Sequence, residues 1–139
     1  MPIRDTQTMK FIDPNHDRWH ATVGEDAPMP APDAGANRLL TLEQWHAVRE
    51  QWPHDVLAGV VVPNDSDIEA LDADLPRLAT IVLQFPKWVD GRAYSQARLL
   101  RSRLRYGGEV RATGEVLVDM LPLLHRTGFT AVQLGADQS

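Results

Sequence analysis

The chain contains no cysteine. That absence excludes disulfides, thiolate nucleophiles, iron–sulfur ligation by cysteine and dithiol relays, and it suits the cytoplasm. No apolar run approaches the ~20 residues that cross a bilayer, so no membrane role is expected. The opening MPIRDTQTMKF has no apolar core, and a secretory signal is not expected. Cations are scarce: 14 Lys and Arg against 19 Asp and Glu give a net charge of -5, which argues against a general nucleic-acid or membrane-surface role. Neither G-x-G-x-x-G nor a P-loop occurs, so nucleotide binding by those modes has no support. H-E-x-x-H is missing too. His16 and His20 stand four apart in a proline-containing segment, and His46, His54 and His125 are scattered, so no metal site is expected.

What is present suits one ordinary domain with a real core: 139 residues, 43% of them hydrophobic. Residues 1–40 read as an N-terminal arm and a Pro/Ala-rich linker, and 41–139 as an α/β domain. In the arm, Lys10–Ile12 and Trp19–Val23 are expected to pair across the turn Asp13-Pro-Asn-His16. Gly24–Gly35 holds three prolines and two glycines and reads as a loop.

Regular signals begin at Thr41. Thr41-Leu-Glu-Gln44 is a capping box opening a helix to about Trp52. Leu57–Val62 is a strand covered on both faces. Ser66-Asp-Ile-Glu69 is a second capping box, opening a helix near Asp67. Ala79–Phe85 is the next strand. A helix over Gln96–Tyr106 is expected, stopped by a left-handed cap at Gly107-Gly108. Glu109–Thr113 is a strand, Glu115–Thr127 a helix that Pro122 kinks or shortens at its start, and Thr130–Leu134 the last strand. The order α-β-α-β-α-β-α-β implies parallel strands with right-handed crossovers, in half of a β/α barrel or a small open sheet. Either leaves sheet edges to cover; the arm covering one and a second copy the other predicts a homodimer.

Sites in such folds lie at the carboxyl ends of the strands. Four segments converge there: Pro63–Asp65, Pro86–Ser95, Thr113–Glu115 and Gly135 onward. The longest and most polar is FPKWVDGRAYS, residues 85–95. Asp90-Gly91 is a turn dipeptide, Ser95 an expected N-cap, and Lys87 and Arg92 flank the free N–H groups of the helix start as an anion pocket. A capped turn with Asp90 paired to Arg92 and nothing bound accounts for the same residues. Residues 87–111 hold seven cations, Lys87, Arg92, Arg98, Arg101, Arg103, Arg105 and Arg111, against two acids, Asp90 and Glu109, a local charge of +5. Arg98, Arg101 and Arg105 share one helix face, either a solvated face or a docking surface for an acidic partner or an oxyanion. Glu115 and Asp119 stand four apart on one expected helix face, a pair suited to acid–base work or to the helix dipole.

The run FPKWVDGRAYSQARLLRSRLRYGGEVRATGEVLVDMLPLLHRTGF resembles a bacterial family called domain of unknown function nine hundred thirty-four. The likeness covers about residues 80–134. Its pattern is F-P-K-F-x-D-G-R-G-Y-S, then A-R-L-L-R, then G-E-L-R-A-x-G-D-V-L-x-D-Q. Ala93 replaces a glycine here, Glu115 an aspartate, Met120 a glutamine, and Thr127 a frequent cysteine. The resemblance implies a link to assimilatory sulfite reduction, with sulfite reductase or another protein of sulfate assimilation as partner. Some relatives carry an oxidoreductase label. Three readings follow. The first is an accessory protein that docks a redox partner or holds a sulfur oxyanion through Lys87, Arg92, Ser95, Arg98, Arg101 and Arg111. The second is an enzyme with an externally supplied cofactor, with Asp90, Tyr94 and Asp119 as the candidate catalytic groups. The third is a structural α/β interaction domain. No cofactor of the chain's own is expected.

Overall fold

A computed structural model describes residues 9–13, 16, 17, 19–21 and 34–135. The expected loop over 24–33 and the strand residues 22 and 23 lie outside them. The frame is an open, all-parallel seven-stranded sheet in the order β1-β7-β6-β5-β4-β3-β2. Its strands are β1 (Lys10–Phe11), β2 (His20–Ala21), β3 (Arg38–Thr41), β4 (Ala58–Val62), β5 (Leu78–Phe85), β6 (Glu109–Gly114) and β7 (Ala131–Val132). The two end strands do not pair, so the sheet is not closed into a barrel.

From β3 to β7 the strands are adjacent in chain order, and right-handed crossovers then place every helix on one face. That face carries Leu40, Val60, Ile81, Leu83, Phe85, Val110, Ala112 and Val132, all essentially inaccessible. Helices α1 (Leu42–Val48), α2 (Arg92–Arg98) and α3 (Leu121–Thr127) cover it with Trp45, Ala93, Ala97 and Leu124. Each such large apolar side chain contributes roughly 1.5–3 kcal/mol on leaving water. Among the described residues no helix is long and apolar enough to cross a membrane.

The Thr41 box forms as expected: Gln44 N donates to Thr41 Oγ1 at 3.0 Å and Thr41 N to Gln44 Oε1 at 2.8 Å. The helix stops at Val48 rather than Trp52; Pro53 has no N–H to donate to Arg49 O, and its ring clashes with that carbonyl in a continued helix. Arg77 closes that end, donating to Arg49 O at 2.9 Å and Trp52 O at 2.7 Å while lying 5.0 Å from the Trp45 ring centroid. The second box does not form around Ser66. Asp67 is the N-cap, accepting from Glu69 N at 3.0 Å, and Ile68–Arg77 winds as 3-10 helix with Pro76 inside.

The arm does not fold into a hairpin. β1 pairs with β7 and β2 with β3, at opposite edges of the sheet. Between them, Asp17 bonds Arg111 of β6 and Trp19 lies against Gly59 of β4, so the arm spans the face opposite the helices. An isolated two-stranded hairpin is marginal, whereas strands added to both edges pair groups the core sheet would leave open. The arm thus pairs with both edges of the β3–β7 sheet, and β1 and β2 are its outer strands.

Candidate functional site at the carboxyl ends of the strands

The loops after β4, β5 and β6 and the segment after β7 meet, as the sequence places them. After β4, Asn64 Nδ2 donates to Asp90 Oδ2 at 2.8 Å. Gln96 of α2 is buried and donates to Pro63 O and Ser66 O at 2.9 and 3.1 Å. After β6, Gly114 takes φ +99°, and a Cβ there would stand 2.4 Å from Phe85 O, so only glycine fits this approach. The turn lets Glu115 N donate to Phe85 O at 2.7 Å, while the Glu115 carboxylate accepts the Trp88 N–H at 2.8 Å. Gly135 N donates to Val116 O at 3.0 Å.

The start of α2 corrects the expected helix. Asp90 Oδ1 accepts the Arg92 N–H at 3.1 Å, so the aspartate satisfies the first free donor and helix begins at Arg92, not Gln96. Ser95 is an exposed residue inside α2 and caps nothing. Beyond α2 the chain continues as a π-helical segment, Leu99–Arg103. The left-handed residue after it is Arg105, with φ 59°, not Gly107 or Gly108. At the other end, Pro122 shortens the third helix as expected, to Leu121–Thr127 behind a 3-10 turn over Val118–Met120. Glu115 therefore lies outside any helix, and the acid pair with Asp119 does not form. Gly128 closes α3 with φ 112°.

Asp90 and Arg92 form a two-pronged pair, with Nη2 to Oδ2 at 2.8 Å and Nε to Oδ1 at 3.1 Å. The Arg92 guanidinium, then its backbone N–H and the Asn64 amide, hold the Asp90 carboxyl well below the usual carboxylate range. Arg92 is raised in return, first by its bonds to Asp90. A general base needs a pKa near the working pH, so Asp90 is an anchor and not a proton carrier at neutral pH. Tyr94 packs edge-on against Phe85, at 5.0 Å between centroids, and against Phe129, at 6.4 Å. Burial pushes its hydroxyl up, keeping it protonated at neutral pH. Asp119 is exposed in the 3-10 turn. Neither bonds to Asp90, whose partners are Asn64 and Arg92. The three candidate catalytic groups thus form no hydrogen-bonded constellation.

The cationic set disperses. Arg101 turns inward, with Nε to Gly128 O at 2.9 Å and Nη1 to Tyr106 O and Gly108 O at 2.8 Å each. Arg103 pairs with Glu69 at 2.9 Å. Arg111 is 2% exposed on the arm face of the sheet, bonded to Asp17 at 2.7 Å and Glu109 at 3.2 Å. Lys87, Arg98 and Arg105 remain exposed, with no ion pair among the described residues.

Two residues escaped the sequence reading. Trp88 and Val89, at 52% and 69% exposure, stand side by side at the tip of the 86–91 loop. Their signal was an adjacent large apolar pair inside a polar loop. Asn64, Gln96 and Glu115 also matter here, as the tethers of that loop.

A family model described as Bacterial protein of unknown function (DUF934) matches residues 59–139, more than half of the chain. Comparison with curated proteins and with solved structures gives no match.

Proposed function

The chain belongs to the bacterial family of unknown function DUF934, and from that premise we propose that it is an accessory docking protein of assimilatory sulfite reduction. The 86–91 loop binds a redox partner. The observation that carries this reading is the exposed Trp88–Val89 pair on a loop held by Asn64, Arg92 and Glu115. A loop already fixed by its neighbours loses little conformational freedom on binding. Tryptophan is among the residue types that dominate interface energetics. Lys87 beside it and Arg98 two turns along α2 favour an acidic partner surface with an apolar slot. Of the expected oxyanion-holding residues, Arg92 is held by Asp90 and Ser95 sits within the helix, while Lys87 and Arg98 stay exposed beside the loop. Sulfite reductase is the first partner to test, as the family resemblance implies; the redox cofactor belongs to the partner.

The test is a calorimetric titration of sulfite reductase with the purified protein. Trp88→Ala is expected to weaken the complex by ~2 kcal/mol, about 30-fold, with the melting temperature unchanged. Arg98→Glu weakens it most at low salt. No complex, or a Trp88→Ala complex as tight as wild type, overturns the reading.

A further inference from the structure

We propose that a second site, at the amino-terminal end of β5 and β6, binds a small zwitterion with an apolar side chain, an α-amino acid of the leucine type. A cavity of about 320 Å³ opens there, walled by Leu75, Pro76, Leu78 and Leu104 and bordered by Asp72 and Arg105. Its size is at the lower end of small-molecule sites, which run from ~300 to ~1,000 Å³.

The wall is held in an uncommon backbone conformation. The π-helical segment closes with Leu104 N to Leu99 O at 2.9 Å, and Arg105 then enters the left-handed region at φ 59°. A non-glycine residue there is disfavoured by roughly 1–2 kcal/mol and persists only where its surroundings fix it. They do. Tyr106 N donates to Leu100 O at 2.8 Å, Tyr106 Oη to Leu78 O at 2.9 Å, and Arg101 holds the carbonyls of Tyr106 and Gly108. In a trans peptide the N–H points opposite to the C=O, so Arg101, by holding Tyr106 O, turns the Gly107 N–H the other way. That N–H has no acceptor among the described residues.

Two opposite charges border one cavity without meeting. Among the described residues neither the Asp72 nor the Arg105 side chain is in an ion pair or hydrogen bond, although Arg103 and Glu69 on the same two segments pair at 2.9 Å. A zwitterion joins them. Its carboxylate takes Arg105 and the Gly107 N–H, its ammonium takes Asp72, and its side chain lies on the leucine and proline wall.

The experiment is a calorimetric titration of the full chain with L-leucine, with 4-methylpentanoate as the probe lacking the ammonium. Arg105→Asn removes the cation and keeps a residue that tolerates positive φ. Gly107→Val fills open space, since no atom lies within 4 Å of a Cβ built there. Saturable binding of L-leucine is expected, weakened about tenfold or more by Arg105→Asn and by loss of the ammonium, and abolished by Gly107→Val, in variants that melt as wild type does. Amide shifts in wild type should map to 72–78 and 104–108. The proposal falls if L-leucine gives no saturable heat at millimolar concentration, or binds both folded variants unchanged. It also falls if 4-methylpentanoate binds equally well, or if the shifts map to the 86–91 loop.

Discussion

Replacing Arg111 with methionine removes the charge that fastens the arm to the sheet. The guanidinium is 2% exposed, and its carboxylate partners Asp17 and Glu109 are 14% and 20% exposed. Removing one partner of a buried pair costs ~3–5 kcal/mol, because the other charge stays unpaired in low dielectric. Here both carboxylates reach some water, so the lower end, about 3 kcal/mol, is the expected loss. Against a total of ~5–15 kcal/mol that is a large fraction of stability. With a urea m-value of ~1–3 kcal/mol/M the midpoint should fall by roughly 1–3 M. Tryptophan fluorescence in a urea titration reads it, since Trp19 on the arm and Trp45 and Trp52 in the core are all buried. Asp17→Asn tests the same contact from the other side. The double variant should cost less than the two singles together, with a coupling above ~0.5 kcal/mol. An Arg111→Met loss below ~1 kcal/mol, or no coupling with Asp17, refutes the fastening of the arm through this pair.

Two further outcomes are expected. Asp90 has a depressed folded pKa, so its contribution is present above the unfolded carboxylate pKa and is lost only as pH falls through the folded value. Its carboxyl carbon shift should therefore stay flat through ~pH 4, where exposed carboxylates titrate, and a midpoint near 4 would break the Asp90–Arg92–Asn64 account. Gly114→Ala forces a Cβ to 2.4 Å from Phe85 O at φ +99°. It should cost ~1–3 kcal/mol in denaturation and raise hydrogen exchange at the Trp88 amide, while a neutral substitution would mean the turn is not required.

Much of the frame was legible because it is local. The Thr41–Gln44 box, the apolar runs of β4 and β5 and the βα alternation each follow from neighbouring residues, and so does the meeting of the loops after β4, β5 and β6. What escaped is long-range or displaced by a competing donor. β3, Arg38–Thr41, was masked because its last residue is also the helix cap. Arg111 alternates within E-V-R-A-T like a solvent-facing cation. It is buried because Asp17, 94 residues earlier, is laid over it, a contact no window of sequence contains. Ser95 looked like a cap, but Asp90 satisfies the helix start first. Arg101 fell on the expected arginine face, yet three backbone carbonyls draw it inward.

The most direct measurement of the docking function is growth of a strain lacking the gene, with sulfite or sulfide as sole sulfur source, complemented by wild type or by Trp88→Ala. Normal growth of every strain on sulfide is expected. On sulfite, growth is restored by wild type and not by an equally abundant Trp88→Ala protein. Restoration by Trp88→Ala, or normal growth of the deletion strain on sulfite, would contradict it.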